Sequence, residues 1–226
     1  YGDHRDLHLS IRRLRQMCIR DRSNIGALKK SNQVSIIAVS KTFTLDHIKP
    51  LIDYGHNHFG ENKVQEAITK WSAIKKINNK LKLHMIGKLQ SNKAKNAVKL
   101  FDYIHSLDNQ KLADQLSKSE ENLNRKLKYF IQVNIGNELQ KSGISVKELD
   151  SFYNYCSLKK KLEIVGLMVI PPNDQNTKKY FEEMNNLKNS LALKELSMGM
   201  SADYIDAINF GSTFVRIGSL IFGSRI

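Results

Sequence analysis

From Val34 onward the chain repeats one pattern: a short β-rich run, then a stretch with helical spacing. The runs are Val34–Ser40, Asn57–Gly60, Leu83–Ile86, Tyr103–Ser106, Tyr129–Asn134, Glu163–Val169, Glu195–Met198 and Phe214–Ile217. Between them apolar residues share one helical face, as at Leu45, Ile48, Leu51 and Ile52, and again at Val64, Ala67, Ile68 and Trp71. Strands joined by crossovers of helix length pair in parallel. Eight such units in 226 residues favour closure over an open doubly wound sheet. The expected fold is therefore α/β, a single (β/α)₈ barrel over residues 24–226, with Tyr1–Lys30 supplying a helix that completes the outer ring.

The bulk properties close off other classes. No apolar run has the length of a membrane span, and the start lacks the order of a signal peptide. Cys18 and Cys156 have no metal-ligand spacing and form no disulfide framework, so a cytoplasmic location is expected. The net charge of +14 raises nucleic acid as a partner. The lysines, however, are scattered over the helical segments without interleaved aromatics, which reads as a solvated surface. Neither a specific nucleic acid nor a membrane is expected as a partner.

One composition shift is sharp. Six of the nine arginines (Arg5, Arg12, Arg13, Arg15, Arg20 and Arg22) lie in the first 22 residues, and lysine dominates thereafter. Segment 1–23 is either a basic helix or sequence foreign to the rest of the chain. The stretch Met17–Ser23 resembles translated adapter sequence and favours the second reading, so no function is assigned there.

In a (β/α)₈ barrel, chemistry gathers where strands end at the C-terminal face. Strand one delivers Lys41, and strand two delivers Gly60, Glu61 and Asn62. An amine at an apolar barrel mouth is poorly solvated, which favours the neutral form that attacks a carbonyl. The bland alternative is a lysine that only snorkels to water. The loops after strands seven and eight, the habitual phosphate site of this barrel, carry Ser197, Gly199 and Ser201, then Gly218 and Ser219. Two ordinary turns would look the same, but an amine facing such a cradle is a stronger constellation than either half. Arg216 lies in an apolar strand and needs a partner. That partner is either a barrel carboxylate such as Glu61 or the ring nitrogen of a ligand, which arginine would keep unprotonated. Glu61 and Lys63 otherwise read as caps of the following helix, and Lys141 as an exposed loop lysine.

Ala38–Thr42, Phe59–Asn62, Val64–Glu66, His84–Gly87, Leu89–Lys93, Val133–Ile135, Lys141–Gly143, Gly166–Met168, Leu196–Asp203, Gly211–Thr213 and Val215–Arg225 together resemble the pyridoxal phosphate homeostasis proteins, the YggS/PROSC family. The likeness runs from about Val34 to Arg225. It implies a TIM barrel of the alanine racemase N-terminal type (PLP fold type III) without the second β domain. It implies pyridoxal 5′-phosphate (PLP) as cofactor, held on Lys41 as an internal aldimine. Arg216 would stand near the pyridine nitrogen and Asn62 near the ring. Ser197, Gly218 and Ser219 would hold the phosphate, with Ser201 a weaker candidate. Family chains usually have Thr where Ser219 stands, and they run past the final Gly-Ser-Arg into a further helix.

A racemase on this barrel needs a second acid–base group across the substrate carbon. In alanine racemase it is a tyrosine tied to the additional domain and dimer. Tyr54, Tyr103, Tyr129, Tyr153, Tyr155, Tyr180 and Tyr204 fall on helices or strand interiors, away from the mouth. The expectation is thus a monomeric PLP carrier that buffers the cofactor and delivers it to apoenzymes. A weak amino-acid racemase, a Schiff-base aldolase and a nucleic-acid binder follow as alternatives, in that order.

Overall fold

The computed structural model describes Arg12, residues 34–138 and residues 140–223. The eight strands are β1 (Ser35–Val39), β2 (His58–Glu61), β3 (Lys82–Met85), β4 (Tyr103–Leu107), β5 (Lys128–Gln132), β6 (Glu163–Met168), β7 (Glu195–Ser197) and β8 (Phe214–Ile217). They form a closed barrel in sequence order, and β1 pairs in parallel with β8 through Ile37 opposite Arg216. The outer helices are α1 (Leu45–Asp53), α2 (Val64–Ile77), α3 (Ala94–Leu100), α4 (Gln110–Leu123), α5 (Leu149–Asn154), α6 (Thr177–Ser190), α7 (Tyr204–Asn209) and α8 (Ser219–Phe222). Each strand expected from the sequence is present, with ends that differ by up to two residues. The proposed closing helix before β1 and segment 1–23 lie outside the described residues, apart from Arg12.

The main core fills the layer between strands and helices. Ile48 and Leu51 of α1, and Val64, Ala67 and Trp71 of α2, turn their apolar faces onto the sheet as their spacing requires. A second, smaller core lies inside the barrel: Ile37, Phe130, Met168 and Phe214, with Tyr103 and Val165 against them. The interior is packed rather than hollow, so any ligand must sit above it at the mouth. Cys156 is a free thiol in the outer core, pushed up to about 12 by burial, which makes it an inert packing group. No helix among the described residues is long and apolar enough to cross a membrane.

Candidate functional site

Strand side chains alternate between the barrel interior and the helical layer, and that parity decides which polar residues can reach a ligand. On β2, Gly60 faces inward, since a Cβ there would meet Ile37 Cγ2 at 2.8 Å and Ile86 Cδ1 at 3.1 Å. Asn62, two residues on, shares its side. On β8 the inward series is Phe214, Arg216 and Gly218; on β1 it is Ile37, Val39 and Lys41. These series converge on one cavity of about 400 Å³ at the C-terminal end of the barrel. Lys41, Asn62, Ser201, Arg216, Gly218 and Ser219 line it together with apolar Val39, Phe43, Ile86, Ile170, Met200 and Ala202.

Backbone geometry at this rim is demanding. After β1 the chain reverses within Ser40–Phe43, closed by a Phe43 N–H to Ser40 C=O bond of 3.2 Å. Thr42 takes φ +70 in that turn, a conformation a β-branched residue adopts only when its surroundings force it. The turn holds Lys41 at the cavity wall. Across the mouth, Gly199 has φ +91, and a Cβ there would lie 2.6 Å from Ala207 Cβ. The Gly199 carbonyl accepts from the Arg216 backbone N–H at 3.0 Å, so this close approach ties the β7 loop to the strand carrying Arg216.

Arg216 is buried, and its guanidinium meets oxygens only. Nη1 donates to the Ser197 carbonyl and to Ser197 Oγ, both at 2.8 Å, and Nη2 donates to the Val169 carbonyl at 2.8 Å. No carboxylate among the described residues lies within ion-pair reach of it. Burial pulls the group down to about 10, offset by Asp203 at longer range, and it stays charged at neutral pH.

Two expectations are corrected here. Ser197 does not line the cavity: it is fully buried one layer beneath the mouth, where β7 pairs Ser197 with Phe214. Its hydroxyl is taken up by Arg216 and by His105 Nδ1 at 2.9 Å, leaving it no reach toward a phosphate. Glu61 neither pairs with Arg216 nor caps a helix. It points outward, where Oε1 accepts from Ser40 Oγ (2.8 Å), Trp71 Nε1 (2.9 Å) and Lys70 Nζ (3.0 Å). Lys63 is the residue before α2 but caps it with no side-chain bond; it pairs with Glu66 instead. Lys141 is tethered away from the cavity by Glu138 (2.6 Å) and the Pro171 carbonyl (3.3 Å).

The reading from sequence missed a file of imidazoles below Arg216. His58 Nδ1 meets His84 Nε2, His84 Nδ1 meets His105 Nε2, and His105 Nδ1 meets Ser197 Oγ, each at 2.9 Å. The signal available was a histidine within each of three consecutive strand regions.

Comparison with known proteins now decides the family. A family model described as "Alanine racemase, N-terminal domain" matches residues 18–226. The pyridoxal phosphate homeostasis protein of Aquifex aeolicus is 37% identical over 203 residues, covering 86% of this chain and 88% of that one. Its counterpart in Escherichia coli K12 is 35% identical over 219 residues, covering 92% and 94%. The chain belongs to the pyridoxal phosphate homeostasis family. Among solved structures, PipY of Synechococcus elongatus with PLP bound superposes at TM-score 0.77, with 36% identity over 90% of this chain and 99% of that one. Alanine racemase from Acinetobacter baumannii shares the fold at TM-score 0.73 and 14% identity. That match covers 98% of this chain but 62% of the racemase chain. PipY, matched over 99% of its chain, has the single barrel expected from the sequence.

Proposed function

We propose that this chain binds PLP in the mouth cavity and serves cofactor homeostasis, holding PLP and passing it to apoenzymes. The observation that carries the reading is convergence on one cavity. Lys41 lies on one wall, a buried guanidinium bonded to neutral oxygens on another, and the Ser201, Gly218 and Ser219 cluster at the rim. The residues fit the group. Gly218 leaves open backbone at the start of α8, because an added Cβ would find its nearest neighbour only at 3.5 Å. A glycine there lets backbone N–H groups approach phosphate oxygens closely. Serine hydroxyls at positions 201 and 219 add donors beside them. Several relatives are named for PLP homeostasis, and PipY is a relative seen with PLP bound.

When bound, PLP supplies an aldehyde that condenses with amines. Lys41 is the amine that reaches it. Arg216, which does not give up its proton, presents donors only and keeps a facing ring nitrogen unprotonated. Apolar Val39 and Ile86 line the cavity and would shield a bound ring from water. Asn62 is fixed against the loop after β3, where Gly87 passes so closely that a Cβ would stand 2.4 Å from the Asn62 carbonyl.

A carrier rather than a racemase is proposed because no tyrosine among the described residues lines the cavity. Tyr129 donates to Glu120 at 2.9 Å in the helical layer, and Tyr155 and Tyr180 donate to Asp114 (2.6 Å) and Asp174 (3.0 Å). A cytoplasmic, monomeric protein without specific nucleic-acid or membrane partners completes the proposal, with residues 24–226 as its PLP-binding domain. The test is the visible spectrum of the purified protein before and after borohydride, with peptide mass mapping. A visible band abolished by borohydride, with phosphopyridoxyl mass fixed on the Lys41 peptide, is expected. A colourless protein that takes up no added PLP would overturn the reading and favour an aldolase.

A further inference from the structure

The buried file His58–His84–His105–Ser197–Arg216 has one direction in which every donor along it finds an acceptor. Arginine only donates, so Ser197 Oγ accepts from Arg216 Nη1 and must place its own proton elsewhere. The oxygen could accept a second time from His105 Nδ1, but its own proton would then be buried with no partner among the described residues; donating that proton to His105 Nδ1 satisfies both groups. His105 then carries its proton on Nε2 and donates to His84 Nδ1. By the same step His84 donates from Nε2 to His58 Nδ1. One permanently charged group thus sets three tautomers across the width of the barrel.

The surroundings keep these rings neutral. His84 stacks on Tyr103 at 4.4 Å and 8°, His105 stacks on Phe130 at 4.2 Å and 16°, and Phe214 approaches both. The charged groups that reach the file are Arg216 at its upper end, and Lys75, Lys82 and Asp102 at its lower end. Burial holds His84 and His105 well below 6.5, and His58 is displaced the same way. A neutral imidazole protonated on Nε2 is a dipole whose negative end is Nδ1. All three negative ends point toward the guanidinium, and bonds in such a chain polarise one another.

We propose that His105, His84 and His58 are positioning residues for Arg216: an aligned file of neutral imidazoles that replaces a carboxylate counter-ion. A carboxylate would stabilise the buried guanidinium but cancel its charge. The dipole file and the two carbonyls stabilise it while leaving its positive field aimed at the cavity. The step from Arg216 to the cofactor rests on the PLP reading above; the polarity of the file does not.

The experiment is long-range ¹H–¹⁵N correlation on the full chain labelled in histidine, without added cofactor, between about pH 5 and 8. Assignment uses contacts to the Tyr103 and Phe130 rings. Neutral Nε2–H tautomers are expected for His84 and His105 throughout, and for His58 at the upper end of that range. Ser197→Ala severs Arg216 from the file and is expected to give His105 a mixture of tautomers. A wild-type His105 that is cationic or protonated on Nδ1 overturns the proposal, whether or not the variant folds. So does an unchanged His105 tautomer in Ser197→Ala. PLP titration supplies the second readout. His105→Phe is expected to lower affinity about tenfold and His105→Gln, which can still accept from Ser197, to recover most of it. Equal affinity for wild type and His105→Phe overturns the positioning role. Failure of every form to bind PLP overturns the proposed function instead, and the tautomers still decide the file.

Discussion

Glu61 and Arg216 are both buried charges on the same barrel, but they face opposite sides of the sheet and are treated in opposite ways. Glu61 points into the helical layer, where a lysine, an indole N–H and a hydroxyl converge on one of its oxygens. Arg216 points inward and, among the described residues, is met by neutral oxygens. A charge matched by a protein cation has spent its field on the fold. One solvated by dipoles keeps its field for whatever enters the cavity. The outer layer therefore carries stability, and the upper interior carries binding.

The largest effect expected from this division is at Lys41. Lys41→Ala removes the amine from the cavity wall, and borohydride treatment should then fix no phosphopyridoxyl mass on the chain. Ser40→Ala, one residue earlier, should do the reverse: it removes a donor to Glu61 and lowers the midpoint, while trapping on Lys41 survives. Trapping that persists at another lysine in Lys41→Ala would break the assignment.

Glu61 and Arg216 themselves come next. Glu61→Ala takes from Trp71 its acceptor and from Lys70 its counter-charge, leaving that ammonium the Ser40 carbonyl at 2.9 Å, and should cost about 3 kcal/mol in chemical denaturation. The folded fraction should still take up PLP. Arg216→Met leaves two buried carbonyls short of a donor, at about 1–3 kcal/mol, yet relieves a desolvated charge. Its main effect should be on PLP titration, with loss of about 100-fold in affinity, the scale of a charged hydrogen bond. If Glu61→Ala weakened PLP more than Arg216→Met did, the two layers would not be separable.

What the sequence showed and hid follows the same division. Strand runs and helix faces were legible because alternation and helical spacing are local patterns. Lys41, Asn62, Gly218 and Ser219 were legible because each stands at a strand end, and ends of barrel strands meet at one face. Ser197 was misplaced because its height depends on the pairing register with Phe214, which no local pattern encodes. Four further residues are needed before the loop brings Ser201 to the mouth. The outward turn of Glu61 was implicit in Gly60 facing inward, but its partners Ser40, Lys70 and Trp71 come from a different strand and a helix. The imidazole file joins His58, His84 and His105 from three strands, and only barrel closure brings His105 to Ser197.

Acid should act on buried imidazoles at both faces of the sheet, His56 against Phe59 in the outer layer and the file inside. Burial holds His56 from its ordinary 6.5 down to about 4, and His58, His84 and His105 are displaced in the same direction. Below about pH 6.5 the unfolded chain takes up protons that the folded chain refuses. Stability is thus complete above that value and lost as pH falls toward 4. His56 alone accounts for about 3 kcal/mol over this window. Denaturation midpoints between pH 7 and 4 should fall steadily, and His56→Gln should flatten part of that fall. A flat wild-type profile would mean that these imidazoles are not held neutral.

The smallest effect tests the parity rule at its edge, where Asn62 and Lys63 are neighbours with opposite assignments. Asn62 lines the cavity, and its backbone is pressed against the Gly87 approach. Lys63 is solvent-exposed, and its ammonium pairs with Glu66 in the first turn of α2, a surface pair that salt screens. Asn62→Ala should weaken PLP retention several-fold, the scale of one neutral hydrogen bond, and shift the visible band as the ring loses a neighbour. Lys63→Ala should change neither the band nor the affinity, and its denaturation curve should overlay wild type at moderate salt. A change at Lys63 equal to that at Asn62 would mean that net charge at the mouth, rather than the inward side chains, retains the cofactor. The division between the two faces of the sheet would then fail at the position where the two faces are one residue apart.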